Sequence, residues 1–127
     1  MSPICLPDPS LESEGLAGLM VTGWWSSAPG EPTVSPTVQE VAVTSLTTQA
    51  CSTTYPDSQL TDSMVCADDG EEFICQGSGG SPLVHLGQDG RYSQVGLMSW
   101  GDGCGDPRYP SVYTRLPPTL DFINSQL

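Results

Sequence analysis

The sequence predicts an all-β fold, a six-stranded antiparallel Greek-key barrel with one helix at its C-terminus. Three observations point there. Six short strand-like runs are separated by turn signals, 12 prolines and 14 glycines are spread over 127 residues, and only the C-terminal end has helical spacing. A chain of this length holds one modest core.

Residues 1–15, rich in proline, serine and acid around Cys5, read as an extended arm lying on a surface, and residues 16–127 as the barrel. Ala17 to Trp25 (AGLMVTGWW) and Val38 to Leu46 (VQEVAVTSL) are strand-like, the second by its alternation. The proline-rich SSAPGEPTVSPT between them makes a wide hairpin. Thr47 to Tyr55 contains threonines able to cap one or two helical turns, and Ser63 to Ala67 (SMVCA) is a short strand carrying Cys66. Ser81 to Leu86 and Tyr92 to Trp100 are two more strands joined by a Gly-Gln-Asp-Gly turn. Pro110 to Leu116 (PSVYTRL) follows the loop GDGCGDPRY. In PPTLDFINSQL either proline suits a first helical turn, and Leu120, Ile123 and Leu127 share one helical face.

Fifteen acidic residues oppose three basic ones, Arg91, Arg108 and Arg115, for a formal net charge of −12. That excess excludes a phosphate-binding surface, repels nucleic acid and anionic lipid, and favours cationic partners where it is more than a solvated face. Five cysteines in so short a chain point to an oxidising compartment. There is no CxxC, and the single histidine, His85, has no second ligand nearby in sequence, so neither a metal nor another cofactor is expected. The apolar run Leu16 to Trp25 is too short and too rich in glycine to span a bilayer, and no basic-then-apolar export signal precedes it. Cysteine usage of this kind without a signal is what a processed chain or the downstream part of a longer secreted protein would show. A truncated isoform beginning at Met1, directly before ICLP, is the other expectation.

Seven segments occur in order: ICLP (Ile4 to Pro7), VTGW (Val21 to Trp24), MVCA (Met64 to Ala67), CQG (Cys75 to Gly77), PLV (Pro82 to Val84), VGLMSWGDGCG (Val95 to Gly105) and VYTR (Val112 to Arg115). Together they resemble the C-terminal half of a chymotrypsin/trypsin-like serine protease, and the resemblance covers essentially the whole chain. It implies that the barrel is the second of two. The first would carry the catalytic histidine and aspartate, and this sequence has neither motif; His85, inside a strand after PLV, does not stand where the general base would. The resemblance implies disulfides Cys51–Cys66 and Cys75–Cys104. It leaves Cys5 to bond an external partner, a first protease barrel or an upstream light chain. Leu19 and His85 stand where relatives carry a further cysteine pair, both halves being absent together.

The family's active-site loop reads CQGDSGGPLV, and this chain reads CQGSGGSPLV at Cys75 to Val84. In ungapped register Ser78 replaces the aspartate, Gly79 stands at the nucleophile position and Ser81 replaces a glycine. That register has no nucleophile. In the alternative the aspartate is lost, Ser81 is a compensating insertion and Ser78 is a nucleophile candidate displaced by one residue, about 3.3–3.8 Å of chain, where attack requires atoms aligned within about 3.5 Å. The missing aspartate is also the group that would set the loop by pairing with a newly cut N-terminus. Gly77 and Gly79 are oxyanion-hole-like, and Phe73, Ser99, Trp100, Gly101 and Ser111 are specificity-pocket-like; Phe73 at the pocket floor would fill the cavity with its own ring. The Ser99-Trp100-Gly101 edge retains the means to pair with an extended peptide or protein ligand. The sequence therefore favours a secreted, non-catalytic homologue with a binding or scaffolding role. The alternative is a serine endopeptidase component using Ser78 with histidine and aspartate from a missing first barrel.

Overall fold

The computed structural model describes residues 1–26, 34–55, 60–68, 70, 74, 77–101 and 108–127. Six strands, β1 (Leu19–Gly23), β2 (Gln39–Ser45), β3 (Met64–Asp68), β4 (Pro82–Leu86), β5 (Tyr92–Trp100) and β6 (Ser111–Arg115), close into one antiparallel barrel in the order β1-β2-β3-β6-β5-β4. Closure gives every strand a neighbour on both sides, which limits the usual edge liability of short strands. A helix α1 (Thr48–Thr54) bridges β2 and β3. A single 3₁₀ turn (Pro117–Thr119) leads into the terminal helix α2 (Leu120–Ser125).

Alternation sends one set of side chains inward. In β2, Val41, Val43 and Ser45 are buried while Ala42 and Thr44 face out. The core gathers Leu19 and Val21 of β1, Val65 of β3, Leu83 of β4, Val95 and Met98 of β5, and Tyr113 of β6. Two register shifts, between Leu83 and Val84 and between Met98 and Trp100, bend β4 and β5 enough for the barrel to close. The β4–β5 connection turns tightly: Gly87 N–H donates to Arg91 O at 2.9 Å, and Gly90 adopts a φ of +79°.

A second cluster lies at one end of the barrel. Cys51 of α1 is bonded to Cys66 of β3, and Tyr55 and Val112 are buried beside them. Thr47 caps α1 by accepting from the Ala50 N–H at 3.1 Å.

The arm is tied down at both ends. Cys5 makes a parallel bridge with Ser93, its carbonyl accepting the Gln94 N–H at 3.0 Å. Farther along, the buried Ser45 hydroxyl donates to Ser13 O at 2.5 Å and accepts the Leu16 N–H at 2.7 Å. Glu14 accepts from both the hydroxyl and the N–H of Thr48. These bonds favour the carboxylate, the hydroxyl's first, and hold its pKa below the ordinary value. A carboxyl depressed in the folded state adds stability above its unfolded pKa and loses it as pH falls through the folded one. Acidification from about pH 5 to about pH 3 should therefore loosen the arm around Glu14, read as faster amide exchange at Thr48. Glu14→Gln should flatten that pH dependence.

The C-terminal end differs from the sequence expectation. Leu120 is buried and Ile123 half-buried, but Leu127 is 92% exposed. The reason is length: α2 ends at Ser125, where the Gln126 N–H turns back onto Ile123 O and Asn124 O, so Leu127 falls beyond the helical face it was assigned to. The first strand is also shorter than its apolar run, because Trp24 and Trp25 leave β1 after Gly23.

Candidate functional site

The loop ahead of β4 is described from Gly77 on. Gly77 and Gly80 have φ values of +92° and +81°, conformations that glycine adopts without strain. The loop closes on itself through Ser81 N–H donating to Ser78 O at 2.9 Å. It is laced to β5 by Gly80 N–H to Met98 O at 3.0 Å and Met98 N–H to Ser81 O at 2.9 Å. Ser78 and Ser81 are 9% and 8% exposed, whereas Gly77 and Gly79 lie at the surface. The N–H groups of Gly80 and Ser81 are thus already engaged, and neither belongs to the pair, Gly77 and Gly79, that the sequence singles out.

The lacing sets the loop beside the second half of the candidate site. At the β5 bulge Ser99 is exposed, Trp100 pairs with Val112, and Gly101 follows. A Cβ on Gly101 would lie 3.4 Å from Ser111 Cα and 3.8 Å from the Tyr55 hydroxyl, so this segment sits directly against the start of β6. Tyr55 supports it: its hydroxyl donates to Pro110 O at 2.6 Å and its ring meets Trp100 edge-on at 5.1 Å. Ser99, Trp100, Gly101 and Ser111 therefore come together. Phe73 and the Cys75–Cys104 pairing lie outside the described residues.

His85 is not with them. It stands on β4 opposite Leu19 and Ser93, three residues beyond Pro82, or about 10 Å along the strand. Among the described residues no group of three His, Cys, Asp or Glu side chains is placed to hold a metal, and no helix is long and apolar enough to cross a membrane.

Two features escaped the sequence reading. Trp25 is fully buried, its ring against Gly23 and its backbone beneath Gly77; only the doubled WW hinted at it. The other is a largely apolar groove of about 330 Å³ on the barrel's outer face, lined by Ile4, Met20, Thr22, Glu40, Val84 and Tyr92. It has no linear signal, because it joins the arm to four strands. Cys5, next to Ile4, is a free and exposed thiol.

The "Trypsin" family model matches residues 1–123. Over 98% of this chain, similarity extends to rat "Transmembrane protease serine 9" at 38% identity and to bovine "Suppressor of tumorigenicity 14 protein homolog" at 37%. Mouse "Transmembrane protease serine 7" is 32% identical over the same share. The chain spans only 12%, 15% and 15% of those three proteins.

Proposed function

This chain belongs to the trypsin-like family of serine proteases, and on that premise we propose that it is a non-catalytic member whose role is binding or scaffolding. The observation that carries the proposal is the loop itself. In ungapped register with the family loop its sequence puts Gly79 at the nucleophile position, and its two serines, Ser78 and Ser81, are buried in a loop closed by backbone hydrogen bonds. A serine nucleophile requires a base within hydrogen-bond reach, and His85 stands well along β4, so a base for Ser78 would have to come from another barrel. Donors at Gly77 and Gly79 without a nucleophile make at most a place where a carbonyl is held.

Binding has a surface to use. The exposed bulge at Ser99 and the adjoining Trp100-Gly101 edge fit pairing with an extended peptide or protein segment. The outer groove and the accessible Cys5 thiol support a disulfide-linked upstream chain or a first barrel as the partner. The Cys51–Cys66 bond supports an oxidising, secreted or extracellular setting.

The test is labelling with a serine-reactive phosphonate probe on the longest natural form, beside a Ser78→Ala variant. No labelling of either is the expected result. Labelling that disappears in Ser78→Ala would overturn the reading and identify an endopeptidase component completed by histidine and aspartate from another barrel.

A further inference from the structure

We propose that Trp25 is the positioning residue of the 77–81 loop: an indole wedged under the loop from the β1 side, which keeps Ser78 and Ser81 in their buried arrangement. Trp25 is the largest fully buried side chain described, although it lies two residues past the end of its strand. Its backbone is clamped, with its carbonyl accepting Gln39 Nε2 at 2.8 Å and sharing the Ser35 N–H with the Trp24 carbonyl at 3.3 Å.

Two glycines record how tightly the loop and the indole fit. A Cβ on Gly23 would lie 3.0 Å from Trp25 Cε3 and Cζ3 and 2.7 Å from Ser81 Oγ, so ring and hydroxyl converge on one point above Gly23. A Cβ on Gly77 would lie 3.4 Å from Trp25 Cα and 2.8 Å from Val34 Cγ1, so the other end of the loop rests on the same residue. The indole Nε1 is buried with no acceptor among the described residues. An unmet buried donor is destabilising, so the ring is held by its packing and by the clamped Trp25 backbone and not by its polar edge. Loops of this kind sit at the low-stability end of a structure, with few buried contacts of their own. Here the indole meets the Ser81 end of the loop, while the Trp25 backbone and Val34 lie under Gly77. On this proposal the loop's arrangement depends on Trp25 in addition to its lacing to Met98. This inference goes beyond the proposed function, since it stands whether or not Ser78 reacts with a probe.

Amide exchange on the 127-residue chain tests it without any assay of activity. Gly80, Ser81 and Met98 donate the N–H groups that close and lace the loop, and Val65 and Tyr113, paired between β3 and β6, report on the rest of the barrel. In Trp25→Gly the loop amides should exchange at least about tenfold faster, over and above any change at Val65 and Tyr113. Trp25→Phe should fall between that variant and the unaltered chain. Should Trp25→Gly not fold, the same comparison is made on Trp25→Leu. Loop amides that accelerate no more than those of β3 and β6 would assign Trp25 to the general core and overturn the proposal.

Discussion

Replacing Cys51 and Cys66 together by alanine should lower stability by about 3 kcal/mol, the effect expected for opening a loop of this length. The bond joins residues 15 apart, one on α1 and one on β3. A seven-residue helix is too short to persist on its own, so α1 depends on its anchor. Cys51 packs with Tyr55, Cys66 and Val112, and through Tyr55 the cluster supports Trp100 and the carbonyl of Pro110. The loss should therefore reach the candidate binding edge as well as the global midpoint. Thermal unfolding followed by circular dichroism should show the midpoint falling by on the order of 10 °C. An unchanged midpoint would mean that packing alone holds α1 against the barrel.

Leu83→Ala should cost about 2–5 kcal/mol, the range for emptying a well-packed aliphatic site. Leu83 is 1% exposed and stands at the centre of the barrel wall, paired with Val21 on one side and Gly96 on the other. Gly96 shows how closely this wall is fitted: a Cβ there would lie 3.3 Å from Leu83 Cδ2 and 3.0 Å from the Thr114 carbonyl oxygen. With backbone on one side and strand pairings on both, the site has little room to collapse around a missing isobutyl group. Urea unfolding should show a lower midpoint with an unchanged slope. A shallower slope would instead indicate that the variant's native or unfolded state has changed in compactness.

The strands were legible because their signal is local. Period-two burial in β2, the glycine turn between β4 and β5, and the short run around Cys66 each need only a few neighbouring residues, and the barrel follows from counting them. Leu127 misled because a helical face can be drawn through any suitable spacing, whereas the helix itself stops when its backbone turns back at Gln126. The site was legible in part. The altered loop is visible as text, and Ser99, Trp100, Gly101 and Ser111 do come together, but the burial of Ser78 and Ser81 goes with backbone bonds joining Gly80 and Ser81 to Met98, across a strand pair, and Ser81 to Ser78.

The amino-acid order by itself determined the fold class, the family and the altered text of the 75–84 loop, because strand periodicity and ordered motifs are properties of the covalent chain. Only the tertiary structure decided that Trp25 points inward beneath the loop, that the arm docks through Cys5 and Ser45, and that His85 stands apart from the serines. The first two depend on partners far away in sequence, Gln39 and Gly77 for the Trp25 backbone, Gln94 and Ser45 for the arm. Such contacts exist only once the barrel has closed.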